Sequence, residues 1–174
     1  MTCCGPLCVL IGHLRGVMAE CFMENNQAIA HITSIISSCK ELEDIGYGRT
    51  GTRKIIRETI HFIWETGLNK ETKFSKKRAR SLSASKEENN KNLIYDHPIP
   101  LKIIIEMLFK LENIDEKNVE LILSKYIKYG GVLITKNEDK ILNGLGLQFK
   151  MPENWDREDI FARYKLANID IINY

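Results

Sequence analysis

A mostly α protein with a small β element, an α+β chain, is what the sequence predicts, and three observations predict it. Apolar residues recur every three or four positions through long stretches, the period of a helix buried on one face. Two short apolar runs, at 92–97 and 132–134, end at a proline or a capping residue and read as strands. With 174 residues, 44% hydrophobic and 28% charged, the chain can bury a core and carries no compositional mark of disorder.

The elements follow in order. Residues 1–22 read as an extension of little structural weight. Their apolar run at 6–12 is short and lacks a basic lead, so no secretory signal is expected and the chain is read as cytoplasmic. No apolar run approaches the roughly 20 residues of a membrane span, so no membrane partner is expected. The five cysteines, Cys3, Cys4, Cys8, Cys21 and Cys39, lie in the first quarter, which suits reduced thiols better than a disulfide frame. Cys3, Cys4 and Cys8 with His13 can be drawn as a metal cluster, but adjacent cysteines close a tetrahedron poorly.

Residues 23–68 form an N-terminal helical region. A helix over 25–45 carries Ile29, Ile32, Ile35, Ile36 and Leu42 on one side and stops at Gly46 and Gly48. A second, over 51–67, carries Ile55, Ile56, Ile60, Ile63 and Trp64. Arg53, Lys54 and Arg57 open it at the wrong end for the helix dipole, which favours a role facing a partner. Residues 69–92 are polar and read as a basic linker or surface segment, containing Lys70, Lys73, Lys76, Lys77, Arg78 and Arg80.

The C-terminal α+β region, 93–174, is better patterned. A strand ends at His97 before Pro98 and Pro100, and helices are expected over 101–111 and 115–129. Gly130 and Gly131 break the second of these, and Val132, Leu133 and Ile134 form a buried strand. Thr135 and Glu138 have capping-box spacing, so a helix should run from Lys136 to Asn143. Asp156 reads as the N-cap of a last helix reaching Ala167. His31 and His61 fall within helical patterns and read as ordinary packed or surface residues. Trp64 and Trp155 read as packing anchors.

Charge is unevenly placed. The balance is −3 over residues 1–48, +7 over 49–91 and −2 over 92–174, within a total of +2. The basic middle suits a polyanion or merely a solvated surface. Phosphate loops, dinucleotide fingerprints, nucleophile elbows and zincin helices are all missing from the sequence.

One constellation carries chemistry. A strand ending in Asp96-His97, then a strand at 132–134, then a capped helix is the outline of a ββα-metal nuclease site. Tyr95-Asp96-His97-Pro98-Ile99-Pro100 resembles the Asp-His-x-x-Pro element of HNH endonucleases. The resemblance covers about a third of the chain. It implies a nuclease with His97 as general base, Asp96 as ligand of a divalent metal such as Mg²⁺, and a helix ligand among Asn143, Glu138 and Asp139, with Asn143 preferred. Arg53, Arg57, Lys73, Lys76, Lys77, Arg78 and Arg80 would then contact nucleic acid. The chain has no histidine after His97, and the insertion between the strands is helical. A competing reading makes Asp96-His97 a turn and the chain a helical adaptor or inhibitor that binds a protein partner through Ile55, Ile63 or Ile104.

Overall fold

The computed structural model describes residues 7–68, 72–128 and 130–172, with side chains from residue 26 onward and without that of Leu68. Helix α1 (Leu7–Asp44) leads into α2 (Arg49–Thr59), which continues as a π-helix (Ile60–Leu68). Strand β1 (Arg80–Ser81), short helix α3 (Leu82–Ser85), a 3₁₀ turn at Asn90–Asn92 and strand β2 (Leu93–Asp96) follow. Then come α4 (Leu101–Phe109), α5 (Glu116–Tyr126), β3 (Val132–Thr135), α6 (Lys136–Gly144), α7 (Ala162–Leu166) and β4 (Ile171–Ile172). The chain is mostly helical with a small sheet, as its apolar periodicity predicts. No helix among the described residues is long and apolar enough to cross a membrane.

Among the described residues there are two larger cores and one small cluster of Ala84, Leu93 and Leu133. The helical one gathers Ile29, Ile32 and Ile36 of α1, Ile56 of α2, Ile60 and Trp64 of the π-helix, and Ile104, Leu108, Val119 and Leu123 of α4 and α5. These are the residues whose spacing marked the helices. Ile104 is therefore buried and Ile63 only half-exposed, so the three isoleucines of the adaptor reading do not make one exposed patch. Helix α1 ends where Gly46, at φ +92°, lets Tyr47 N–H reach Leu42 O at 2.8 Å, a glycine stop.

The second core packs Val132, Ile134, Leu142, Leu147, Tyr164 and Ile169 about a four-stranded sheet in the order β2-β3-β1-β4. Strands β2 and β3 run antiparallel with Tyr95 opposite Leu133 and Asp96 opposite Val132. Strand β1 lies parallel to β3 and antiparallel to β4. The capping box at the start of α6 is complete: Glu138 N–H donates to Thr135 Oγ1, and Thr135 N–H donates to Glu138 Oε2 at 2.8 Å.

Two expectations are corrected. The 69–92 segment is not only a linker, because it supplies β1 to the interior of the sheet. Ser81 and Ala84 are fully buried, and Ser81 Oγ donates to Glu138 Oε2 at 2.6 Å. A two-residue strand has no periodicity to read, so lysine-rich flanks hid it. The last helix is also shorter than its capping signal implied. Asp156 Oδ1 accepts from Glu158 N–H at 2.8 Å and Asp159 N–H at 3.2 Å, closing a turn with Arg157 at φ +68°. The helix proper starts only at Ala162.

Candidate active site

Side chains alternate across a strand, so neighbours at the end of β2 face different surroundings. Tyr95 and His97 meet the π-helix, whereas Asp96 meets α7. On the first side lies Glu65, fully buried in the π-helix. His97 Nε2 is 2.5 Å from Glu65 Oε1, and His61 Nδ1 is 3.0 Å from Oε2. Tyr95 hydroxyl donates to Oε2 at 2.8 Å and accepts from Gly131 N–H at 2.7 Å. A π-helix is rare and concentrates at functional positions. Here it carries His61 and Glu65 inward together, four residues apart.

A carboxylate in the interior must be matched by donors or give up its charge. Burial pushes the Glu65 carboxyl up, but the bond and charge of His97, then the bonds from His61 and Tyr95, bring it down to about 2. Glu65 is thus a fixed anion. The Tyr95 phenol moves the other way, raised by burial and then by the charge of Glu65, and stays a neutral donor.

Above this cluster opens a cleft of about 530 Å³. Its walls include Arg53, Lys54, Arg57, Lys73 and Lys102, against the acidic Glu58 and Asp96, with Leu101, Ile105 and Phe149 supplying apolar surface. His61 and His97 both line it, with side chains 12% and 16% exposed. Arg53 is braced by Glu106 at 3.3 Å, while Arg57 and Lys54 are exposed. Lys73 lies 5.9 Å over the Tyr95 ring, which draws a cation toward the histidines. Convergent cations over two imidazoles can hold a phosphate and move protons beside it.

The structure brings some of the sequence-derived residues together and separates others. His97, Arg53, Arg57 and Lys73 share the cleft. Lys76 and Lys77 are exposed but do not line it. Arg78 departs from the expected surface run: it is buried, and its Nε donates to Thr72 O at 2.7 Å. Arg80 folds back to Ser75 O at 2.7 Å. Lys70, Cys3 and Cys4, and the side chains of Cys8, His13 and Cys21, lie outside the described residues.

Of the expected metal ligands, Asp96 lines the cleft and Asn143 does not. Asp96 Oδ2 is occupied by Arg163 Nη2 and by the Tyr164 hydroxyl, the latter at 2.6 Å. Asn143 Nδ2 donates to Asp139 Oδ2 at 3.2 Å on the exposed side of α6, and Glu138 is spent on its cap and on Ser81. Among the described residues no cluster of three or more His, Cys, Asp or Glu is arranged to hold a metal ion.

Sequence reasoning missed His61, Glu65, Lys54 and Lys102 as members of one site. His61 and Glu65 stand in an apolar helical pattern where an isolated titratable residue normally faces solvent. The one available signal was their i, i+4 spacing. Comparison with protein-family models, curated proteins and solved structures finds no match to this chain.

Proposed function

We propose that the chain binds nucleic acid in the basic cleft and cleaves phosphodiesters, with His97 as general base. The observation that carries this reading is the buried, ionised Glu65 bonded to His97 beneath five cleft cations. A carboxylate behind an imidazole fixes its tautomer and orientation and stabilises the imidazolium formed when it takes a proton. With Nε2 turned to Glu65, Nδ1 is the nitrogen left for chemistry. Arg57, Lys73 and Lys102 supply positive charge where a phosphate would sit, and charge developing on its oxygens is stabilised there.

The test is cleavage and binding of mixed DNA and RNA by wild type and by His97→Ala, both checked for folding by circular dichroism. Cleavage should fall about 10²–10⁴-fold in the variant, the range for loss of a general base. Binding should weaken steeply with salt, because several phosphates displace counterions. A folded wild type that cleaves neither nucleic acid, with or without Mg²⁺ or Mn²⁺, would overturn the reading.

A further inference from the structure

Resting on that reading, we infer that the substrate class is RNA and that His61 and His97 act as an acid–base pair, cleaving it by internal transesterification. The pair is visible in the geometry. A single carboxylate receives both rings, His97 on Oε1 and His61 on Oε2, and both rings line the same cleft. Glu65 engages Nε2 of the first and Nδ1 of the second, so Nδ1 of His97 and Nε2 of His61 remain for substrate. One buried carboxylate balances one imidazolium. The cluster is therefore neutral when a single extra proton is held between the two rings. That state is one base and one acid.

Such a pair needs a nucleophile that proton transfer alone can activate. The 2′-hydroxyl of RNA is one, held next to the phosphorus by the substrate's own skeleton, where intramolecular attack is strongly favoured. DNA offers none. Asp96 Oδ2 already accepts from Arg163 and the Tyr164 hydroxyl, and Asn143 does not line the cleft. In the step, the 2′-oxygen bonds to phosphorus as the bond from phosphorus to the 5′-oxygen breaks. The 2′-hydroxyl proton passes to His97 Nδ1, and His61 Nε2 gives a proton to the departing 5′-oxygen. The products are a 2′,3′-cyclic phosphate and a 5′-hydroxyl end, with no water or redox partner consumed. Cleft cations offset the added charge on the pentacoordinate phosphate.

The experiment uses a mixed-sequence single-stranded RNA oligonucleotide, its fully 2′-deoxy counterpart, and a version with sulfur in place of the bridging 5′-oxygen at one linkage. Wild type in EDTA should cleave the RNA, leave the deoxy strand intact and give cyclic phosphate ends by mass spectrometry. His61→Ala and His97→Ala, purified identically and shown to be folded, should each lose about 10²–10⁴-fold. A sulfur leaving group needs no proton, so it should restore cleavage by His61→Ala and not by His97→Ala. Restoration of neither variant, or of both equally, would overturn the pair. Cleavage that requires Mg²⁺ or Mn²⁺ and yields no cyclic phosphate would overturn the RNA inference while leaving the phosphodiester reading intact. Failure to cleave RNA or DNA under any condition would remove both.

Discussion

The two sides of the end of β2 each hold a buried charge, and they are built in opposite ways. On one side the charge is Glu65, an anion whose partners are the imidazoles of His61 and His97 and the neutral hydroxyl of Tyr95. On the other it is Arg163, a permanent cation only 1% exposed. Its Nε donates to Pro98 O at 2.8 Å, Nη1 to Leu147 O at 3.0 Å, and Nη2 to Asp96 and to His97 O. Burial works against the charge of Arg163, and the Asp96 carboxylate beside it more than restores it. Three of its acceptors are backbone carbonyls, which cannot titrate or move far. The Arg163 cluster ties α7 to the end of β2 and thereby fixes the backbone of His97. The Glu65 cluster presents the His97 ring to a cleft. One side holds position; under the proposed function the other does the chemistry.

The largest expected effect breaks the comparison on its structural side. Arg163→Met removes the donor of three carbonyls and the cation beside Asp96, which keeps the bond from the Tyr164 hydroxyl. Removing one partner of a buried pair costs about 3–5 kcal/mol. Arg163→Lys should recover little of this, because an ammonium cannot reproduce the planar fork that meets divergent acceptors. Urea denaturation measures it, and a loss below about 1 kcal/mol in Arg163→Met would show that the cluster does not hold the fold.

Next comes pH, to which the Glu65 side should respond. Glu65 sits near 2 in the folded chain against an ordinary 4.5. A depressed carboxyl stabilises the fold fully above its unfolded value, and that stability disappears as pH falls from about 4.5 toward 2. The shift corresponds to about 3 kcal/mol. Glu65→Gln should be less stable at neutral pH and should flatten the stability profile over that interval. An unchanged acid limb in the variant would mean that other carboxylates govern acid unfolding.

The two clusters also differ in how far they were legible. The part of α1 over 25–44 and helices α2, α4 and α5 follow from apolar spacing, and α6 follows from the capping spacing of Thr135 and Glu138, because these signals are local; α1 also runs back to Leu7, through a stretch whose sequence reads as an extension. His97 stands out in the sequence because it ends a strand in a strand–strand–helix outline and because the stretch from Tyr95 to Pro100 resembles the HNH element. Its partner could not be read, because Glu65 is 32 residues away and reaches it only through the π-helix. Asp96 is implied as a ligand by the same resemblance. Strand alternation turns it to Arg163, a contact 67 residues distant that no short motif contains. Strands β1 and β4, two residues each, exist through pairing with neighbours and leave no periodic trace.

A smaller effect sharpens the seat of Tyr95. A Cβ on Gly131 would lie 2.6 Å from Tyr95 Cζ, and one on Gly130, already at φ +71°, would lie 2.7 Å from its hydroxyl. Gly131→Ala must displace the ring and lose the Gly131 N–H to Tyr95 bond, an overpacking cost of about 1–3 kcal/mol. Tyr95→Phe keeps the ring and removes only the hydroxyl, leaving one donor fewer on Glu65, at about 1–2 kcal/mol. If the phenylalanine variant proves the more damaging of the two, the hydroxyl matters more than the fit.

The smallest effect on stability should give the clearest separation in binding. Arg57 and Lys102 line the cleft, whereas Lys76 and Lys77 are exposed and do not line it. Surface substitutions of this kind change stability by about 0.5 kcal/mol or less, so all four alanine variants should unfold like wild type. Binding to single-stranded RNA should nevertheless divide them. Each phosphate contact contributes about 0.7 to the slope of log affinity against log salt on a single strand. Arg57→Ala and Lys102→Ala should each lower the slope by about that amount, and Lys76→Ala and Lys77→Ala should leave it unchanged. Equal losses from all four would mean that overall basic charge, not the cleft over Glu65, attracts the polyanion. A loss confined to the first two places the phosphate directly above the histidines.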